Sequence, residues 1–276
     1  YRKASLSNAI PNELLFNLAD ILAAPIAALV NSSIRTGRIP REWKISRVTL
    51  IPKVNPAFRV ETDIRPISIS CPIAGVAERI ISRHFDEHFT PRQDPNQFGV
   101  TRDRSTVLAL VKLCHILFTA SDDCCNYIRI LFIDFTKAFD LIDHNVLLNK
   151  FVDYEFPLWL KTWSLSFLHE RSQFVKAGDI ISPVGTTNAG APQGTRAGGN
   201  SFKLLINDLN CSTHCIKYVD DVTIATVSSD PIDGRMQSAF EDLIEWVHVN
   251  KLTLNAKKTK EMILYFGKSI DKNAIP

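Results

Sequence analysis

The sequence has few of the residues that build disulfide-rich, low-complexity or zinc-binding proteins. Its six cysteines form no Cys-x-x-Cys pair, and its 11 glycines and 14 prolines are scattered over 276 residues. Cys211, His214 and Cys215 lie close together but lack the second ligand pair that a structural zinc site requires. These scarcities exclude a low-complexity chain, disfavour zinc and are typical of an intracellular protein with reduced thiols.

Long hydrophobic runs are also missing. The longest apolar stretch, Leu14–Val30, is interrupted by two polar residues and Pro25, which predicts a buried helix or pair of helices and no membrane span. A cationic leader with a cleavage site is lacking as well, so secretion has no support. Because the sequence begins at Tyr1, we expect a piece of a longer reading frame or a processed product.

Charge is nearly balanced in number but unevenly distributed. Residues 1–60 carry nine Lys/Arg and three Asp/Glu, residues 251–276 carry six and two, and the residues between carry 17 and 24. An acidic centre between basic ends suits cations in the middle and polyanions around them. Chance surface composition explains the same pattern equally well.

Hydrophobic periodicity predicts a mixture of helices and short strands. Besides Leu14–Val30, the predicted helices are Thr106–Phe118, Asn145–Tyr154 and Gln237–Val249. The predicted strands are Arg47–Pro52, Ile128–Asp134, Ile216–Val219, Val222–Val227 and Met262–Phe266. Because these elements do not follow a strict βαβ alternation, the predicted class is α+β.

Acidic residues occur at the ends of apolar strands. Asp134 ends the strand that begins at Ile128, and Asp220 and Asp221 occupy the tip of a predicted hairpin. Carboxylates that converge at strand ends are costly unless a cation neutralises them, and Mg²⁺ prefers carboxylate oxygens together with substrate phosphates. An Asp-Asp pair alone is most often a solvated turn, but the second strand-end aspartate favours a convergent metal site.

Residues around these acids suit a nucleotide. Phe139 is close enough to Asp134 in the chain to form a wall beside a sugar, although core packing is the plainer explanation. Gln193 and Gly194 form a tight turn before a predicted helix, where glycine lets the backbone approach a ligand.

Basic residues add a second set of candidates. Arg47, Lys53 and Arg65 lie around the first predicted strand and could contact a triphosphate. Lys258 could donate a proton to leaving pyrophosphate. For Arg47, Lys53 and Arg65 taken individually, an ordinary surface charge is the favoured explanation, and Lys258 could simply be solvated.

Several segments, in this order and spacing, resemble the reverse transcriptases of non-LTR retrotransposons of the CR1/jockey kind. The segments that resemble the family's palm motifs are Phe132-Ile-Asp-Phe-Thr-Lys-Ala-Phe-Asp140 with Asp143-His144, Pro192-Gln-Gly-Thr195 with Ile206-Asn-Asp-Leu209, Tyr218-Val-Asp-Asp221, and Leu254-Asn-Ala-Lys-Lys-Thr259. The upstream segments are Trp43, Ile51-Pro-Lys53, Arg65-Pro-Ile67, Gln97-Phe-Gly99 and Ser105-Thr106. The resemblance extends from about Pro11 to about Phe266.

The resemblance implies an α+β right-hand polymerase whose palm is an antiparallel sheet backed by helices. The fingers would comprise residues 1–124 with part of 150–188, and the palm would comprise 125–276. The thumb would be largely absent from this sequence. The intact retrotransposon polyprotein would supply the thumb and an endonuclease.

The resemblance also implies site roles. Asp134, Asp220 and Asp221 would bind two Mg²⁺ ions, for which Mn²⁺ could substitute, with help from the backbone carbonyl of Phe135. Lys258 would be the general acid.

The remaining site residues would contact the nucleotide. Phe139 would be the steric gate that excludes the ribose 2′-hydroxyl. Gln193 and Gly194 would lie beside nucleotide and template. The incoming triphosphate would be contacted by Arg47, Lys53 and Arg65.

The function implied is RNA-directed DNA polymerisation from dNTPs on an RNA template with a DNA primer, inside the cell and in the nucleus. The alternative is a nucleic-acid-binding remnant that no longer polymerises. An RNA-templated RNA polymerase is less favoured, because the hairpin lacks Gly-Asp-Asp and Phe139 is bulky. The run Arg196-Ala-Gly-Gly-Asn-Ser201 departs from the family, and we expect it to cost about 1–2 kcal/mol in helix propensity and to remove packing.

Overall fold

Residues 10–122, 127–230 and 233–266 are described by the computed structural model. The helices are α1 (Asn12–Asn17), α2 (Ala19–Thr36), α3 (Arg41–Lys44), α4 (Val60–Asp63), α5 (Pro72–Phe89), α6 (Thr106–Asp122), α7 (His144–Asp153), α8 (Leu158–Leu168), α9 (Arg196–Ile206) and α10 (Arg235–Val249). The strands are β1 (Ile45–Pro52), β2 (Ile64–Ile69), β3 (Tyr127–Ile133), β4 (Arg171–Ala177), β5 (Ile180–Ile181), β6 (Gly185–Thr187), β7 (His214–Tyr218), β8 (Asp221–Ser228) and β9 (Lys260–Tyr265). Among these helices, none is long and apolar enough to cross a membrane.

The chain divides into two compact units. Unit 1 comprises Tyr1–Arg92 and Phe139–Leu204, and unit 2 comprises Gln93–Ala138 and Leu205–Pro276. Among the described residues, each unit contains one sheet. The predicted fingers and palm ranges describe a functional division and stay a prediction.

The sheet of unit 1 has the strand order β2-β1-β4-β5, and β6 also pairs with β4. β1 runs antiparallel to β2 and parallel to β4. An aromatic cluster forms a large part of the core of this unit. The ring of Phe156 lies 4.9 Å from that of Phe85 and 5.3 Å from that of Phe151, all three nearly fully buried.

The sheet of unit 2 has the order β7-β8-β3-β9 with antiparallel pairing throughout. Ile128 and Ile130 of β3 are fully buried, and they cluster with Ala225 of β8 and Ala120 of α6. The predicted strand Ile128–Asp134 is therefore β3, in which Phe132 is 37% exposed. The predicted α+β class with an antiparallel palm-like sheet is confirmed.

The first apolar stretch forms a pair of helices as predicted, α1 and α2, but it is not buried as predicted. Ile21 is 72% exposed, and among the described side chains of α1 and α2 only Val30 and Ser33 are buried. The burial is confined to the end of α2 that packs on α8, where Trp163 Nε1 donates to Ser33 Oγ at 3.2 Å. The hydrophobic pattern predicted the helices, but it did not predict which helical turns pack against another helix.

Residues 196–201, whose sequence departs from the family pattern, are well packed, contrary to the expected loss of packing. The segment forms α9, and a Cβ on Gly198 would overlap the carbonyl oxygen of Pro192. Asn200 is buried, and its amide donates to Ser82 Oγ at 3.1 Å. The glycine therefore permits close contact between the helix and the preceding turn, and the asparagine satisfies its polar group within unit 1.

Candidate active site

The two acidic sites of the sequence lie at the same end of adjacent strands in unit 2. Ile133 of β3 pairs with Val222 of β8, so the next step of the same register places Asp134 opposite Asp221. Directly opposed residues of antiparallel strands have Cα atoms about 5 Å apart and share a face of the sheet. The fold thus brings Asp134 next to the Tyr218-Val-Asp-Asp221 segment.

The hairpin between β7 and β8 has a two-residue loop. Tyr218 pairs with Asp221, so Val219 and Asp220 form the turn, and Val219 has a φ of 57°. Two-residue hairpin turns require positive φ at their first central residue, a conformation that is strained for a β-branched side chain. Strain of this kind persists where the surroundings impose it, and it is frequent at functional sites.

Asp134 is held from the side of β9. Its backbone carbonyl accepts the Asn255 N–H at 2.8 Å, and Thr136 N–H donates to the carbonyl of Thr253 at 2.8 Å. These bonds bring the Leu254–Thr259 segment to the end of β3. As a result the Lys258 ammonium lies 3.4 Å from Asp134 Oδ2 and 3.5 Å from Oδ1.

The carboxylate of Asp134 fits a cation ligand. Its Oδ2 atom is buried and accepts no hydrogen bond, and the Lys258 ammonium forms an ion pair with it at 3.4 Å. A buried anionic oxygen without a hydrogen-bond donor is costly and favours a positive charge beside it. Within the described ranges, however, no three His, Cys, Asp or Glu side chains form a ready-made metal site. Asp220 and Asp221 lie in the adjoining turn and strand end.

Phe135 and Phe139 follow Asp134 but have different surroundings. The Phe135 side chain is buried in unit 2, with its ring 6.3 Å from that of Trp246. Phe139 belongs to unit 1, is half-buried, and stacks at 4.8 Å on the fully buried ring of Phe202. Stacking on a rigid core residue fixes the Phe139 ring, which suits both core packing and the predicted steric gate.

The predicted Gln193-Gly194 turn docks on the edge of β2 in unit 1. The Ser68 N–H donates to the Gln193 carbonyl at 2.8 Å. Gly194 has a φ of 100°, and a Cβ there would lie 3.0 Å from Ile67 Cγ2. Gln193 also lines a cavity of about 310 Å³ together with Asp140, Ser46 and other residues of β1, β2 and β4.

The three predicted basic residues lie on one face of the β1–β2 pair. Ile51 pairs with Arg65, and Arg47 and Lys53 are each an even number of residues from Ile51. Arg65 and Lys53 are exposed near one end of the pair. Arg47 lies four residues from Ile51, which is about 13 Å along the strand, and its Nε is buried without a hydrogen bond. The structure therefore groups Lys53 with Arg65 and places Arg47 apart.

Glu78 is a buried acid that the sequence analysis missed. Its Oε2 accepts the Ala197 N–H at 3.1 Å at the start of α9, directly after the Gln193–Thr195 turn. Burial raises the pKa of Glu78, an effect partly opposed by that hydrogen bond and by the Arg171 guanidinium. Burial also lowers the pKa of Arg171 to about 10. No local pattern could reveal this cap, because Glu78 and Ala197 are distant in sequence.

A family model described as reverse transcriptase (RNA-dependent DNA polymerase) matches residues 51–270. The chain is 26% identical over 248 residues to the probable RNA-directed DNA polymerase from transposon BS of Drosophila melanogaster, covering 85% of this chain and 27% of that protein. It is 24% identical to the RNA-directed DNA polymerase from mobile element jockey of the same organism, covering 93% of this chain and 29% of that protein. The chain thus spans less than a third of the length of these relatives.

Solved structures show the same fold. A telomerase from Candida albicans, in complex with a TWJ fragment of telomeric RNA, superposes with a TM-score of 0.59 at 11% identity, over 89% of this chain and 46% of that one. An apo telomerase from Candida tropicalis gives a TM-score of 0.56 at 11% identity, over 85% and 52%. The fingers and palm polymerase fold is therefore confirmed, as is the resemblance to the enzymes of non-LTR retrotransposons. The chain belongs to the reverse transcriptase (RNA-dependent DNA polymerase) family.

Proposed function

We propose that this chain is a polymerase domain that transfers a nucleotidyl group from a dNTP to the 3′-hydroxyl of a DNA primer on an RNA template. The observation that carries the proposal is the register that puts Asp134 opposite Asp221, with the Lys258 ammonium 3.4 Å from Asp134. A pair of strand-end carboxylates beside an exposed cationic side chain suits a reaction in which negative charge accumulates. Relatives named RNA-directed DNA polymerases support the same activity.

Reverse transcriptases generally use divalent metal ions. In this chain Asp134, Asp220 and Asp221 would hold two Mg²⁺ ions, for which Mn²⁺ can substitute, and the carbonyl of Phe135 would assist. When bound, such ions stabilise charge on the attacking and leaving oxygens of phosphoryl transfer. The buried, unsatisfied Oδ2 of Asp134 supports this assignment.

Lys258 is proposed as the group that protonates the leaving pyrophosphate. Its side chain is 63% exposed, so the ammonium can reach a bound anion without a large desolvation cost. The Asn255–Thr259 turn, in which the Lys258 and Thr259 N–H groups both donate to the Asn255 carbonyl, fixes where the side chain begins. A lysine so placed can balance Asp134 and donate a proton to an adjacent phosphate oxygen.

The residues proposed to contact the nucleotide belong to unit 1. Lys53 and Arg65 offer exposed positive charge on one face of β1 and β2, suited to the triphosphate, with Arg47 further along the same face. Phe139, fixed by Phe202, would exclude a 2′-hydroxyl. The remaining contacts, beside the nucleotide and the template, are assigned to Gln193 and Gly194.

The proposed partners are an RNA template, a DNA primer, dNTPs and the remainder of a retrotransposon polyprotein, including a thumb and an endonuclease. We propose that the domain acts in the nucleus, as the resemblance implies. Residues 1–124, with part of 150–188, are assigned to the fingers and 125–276 to the palm. Telomerase, whose fold this chain shares, has been solved with RNA.

Primer extension tests the proposal. The assay uses an RNA template, a DNA primer, dNTPs and Mg²⁺ or Mn²⁺, and it compares the wild type with Asp220→Ala. Asp179→Ala is the matched control, because Asp179 is an exposed residue of the turn between β4 and β5. We expect incorporation by the wild type and by Asp179→Ala, and none above background by Asp220→Ala.

Two results would contradict the proposal. Template binding without incorporation by the wild type would identify a nucleic-acid-binding remnant. Equal incorporation by wild type and Asp220→Ala would remove the catalytic role of the hairpin.

A further inference from the structure

A fully buried lysine lies one residue before the Tyr218-Val-Asp-Asp221 segment. Lys217 of β7 has 0% exposure. A lysine ammonium taken out of water is costly unless it is paired and hydrogen-bonded. An apolar residue at an interior strand position would avoid that cost, so this charge calls for an explanation in its contacts.

The Lys217 ammonium lies among four acceptors. It donates to the backbone carbonyls of Ile206, Asn207 and Leu209 at 3.1, 3.0 and 2.7 Å. It also pairs with Asp94 Oδ2 at 2.5 Å. The last carbonyls of a helix have no intrahelical partner and carry partial negative charge. Lys217 therefore caps the end of α9 within unit 2 and also neutralises the carboxylate of Asp94.

The backbone of Lys217 is held as firmly as its side chain. Lys217 N–H donates to the Asn96 carbonyl at 2.9 Å, and the Lys217 carbonyl accepts the Phe98 N–H at 2.8 Å. These bonds cover β7, which is an edge strand of its sheet. Next along the segment, a Cβ on Gly99 would overlap the backbone nitrogen of Val219.

Asp94 ties the same contacts together. Its Oδ1 accepts the Asn96 N–H at 2.8 Å, and its own N–H donates to Asn207 Oδ1 at 2.8 Å. One lysine and one aspartate thus join three segments: the end of α9, the strand β7 and the 94–99 loop. The strained turn at Val219 begins two residues beyond Lys217.

We propose that Lys217, paired with Asp94, is a positioning residue that sets the location of Asp220 and Asp221 for catalysis. This inference rests on the proposed polymerase function and deepens it. The Lys217 side chain is fully buried against protein groups, so its proposed action on the reaction is indirect, through the hairpin. By fixing where β7 ends, it fixes where the two-residue turn presents its carboxylates, so it acts on the chemical step rather than on nucleotide binding.

The test compares Lys217→Met with Lys203→Met in primer extension below the melting temperature of each variant. Lys203 is a matched control: it is 2% exposed and pairs with Asp86 Oδ1 at 2.5 Å, but it belongs to unit 1, where its ammonium lies against the rings of Phe85 and Phe89 of α5. Both variants remove a buried ammonium from its ion pair, although Asp86 is more exposed (43%) than Asp94 (19%), and both are expected to melt earlier. Only Lys217→Met is expected to lower kcat, by about 10- to 100-fold, with KM for dNTP changed less than about twofold.

Two further measurements keep the test decisive. Asp94→Asn removes the negative charge that pairs with Lys217 but leaves the three carbonyl hydrogen bonds of Lys217 in place. A several-fold loss of kcat is expected for this variant, which tests the proposal even if Lys217→Met does not fold. Hydrogen exchange of residues 214–228 should accelerate in Lys217→Met and Asp94→Asn but not in Lys203→Met.

The outcomes separate the two proposals. If the wild type polymerises and both Lys217→Met and Asp94→Asn keep wild-type kcat, the positioning role is wrong and the polymerase function stands. If the wild type does not polymerise, the proposed function fails, and catalytic positioning by Lys217 fails with it. An equal fall in kcat for Lys203→Met would show a general loss of stability and overturn the assignment.

Discussion

At the residue scale, the carboxylate of Asp134 is central to the reaction proposed for unit 2. We predict that Asp134→Asn lowers kcat for primer extension by about 10²–10³-fold, the loss typical of removing one charge-stabilising group. The amide preserves shape but cannot offer two anionic oxygens to a cation. Circular dichroism should show an intact fold, because the backbone carbonyl still accepts the Asn255 N–H. Near-normal kcat would exclude Asp134 from the reaction.

The ring of Phe139 is predicted to discriminate between sugars. Phe139→Ala should raise the efficiency of ribonucleotide incorporation relative to deoxyribonucleotide incorporation by at least about tenfold, since a missing wall admits the 2′-hydroxyl. Competition between rNTPs and dNTPs in primer extension measures the ratio.

The control for this prediction is Phe202→Leu, which weakens the stacking at 4.8 Å but keeps the Phe139 ring. A lower melting temperature with retained discrimination is expected for that variant. Unchanged discrimination in an active Phe139→Ala enzyme would leave core packing as the only role of this side chain.

The buried Glu78 predicts a pH dependence of stability. Because its pKa is raised in the folded chain, the folded state holds that proton more tightly, and the associated stability is lost as pH rises from about 4.5 through the folded pKa. Glu78→Gln cannot ionise and keeps one oxygen for the Ala197 N–H. The free energy of unfolding of the variant relative to wild type should therefore increase as pH rises. Urea titrations at several pH values measure this difference, and a constant difference would contradict the prediction.

At the scale of elements, two helical glycines are predicted to respond oppositely to alanine. Gly75 in α5 has open space where a Cβ would go, so Gly75→Ala should stabilise the chain by about 0.5–1 kcal/mol through helix propensity. Gly198 in α9 faces the backbone of Pro192, so Gly198→Ala should destabilise by about 1–3 kcal/mol despite the same propensity gain. Thermal melts of the pair test this, and equal shifts would show that α9 moves away from the turn.

Local pattern predicted the elements that have a clear short-range periodicity, such as α6 and α10, but it gave no prediction for α5, α8, β2 or β4. The apolar run before Asp134 became β3, and the apolar flanks of Asp220 became β7 and β8. Hydrophobicity did not predict that Ile21 would be exposed, since burial depends on which helix packs where. The contacts of Glu78 with Ala197 and of Lys217 with Asp94 join residues distant in sequence, so no single segment carries their signal.

At the scale of the whole molecule, charge is divided between the units. Unit 1 carries 19 Lys/Arg against 14 Asp/Glu, and unit 2 carries 13 against 15. A net positive unit attracts phosphate backbones, whereas the acidic unit repels them unless cations are bound. The basic N-terminal region lies in unit 1, whereas the basic stretch 251–276 belongs to the net acidic unit 2, so the charge pattern of the sequence follows the division into units only in part.

This division predicts that synthesis and binding can be separated. The triple variant Asp134→Asn, Asp220→Asn and Asp221→Asn should abolish primer extension yet bind an RNA–DNA primer-template at least as tightly as the wild type in the absence of divalent ions. Three negative charges near the nucleic acid would be removed, and the basic groups of unit 1 would be unchanged. Fluorescence anisotropy over a series of KCl concentrations measures both affinity and its salt dependence, and the logarithmic slope should be steep, at about −0.9 for each phosphate neutralised. Weaker binding by the triple variant would mean that these carboxylates support the nucleic-acid interface by structure, so that lost synthesis could no longer be attributed to lost chemistry.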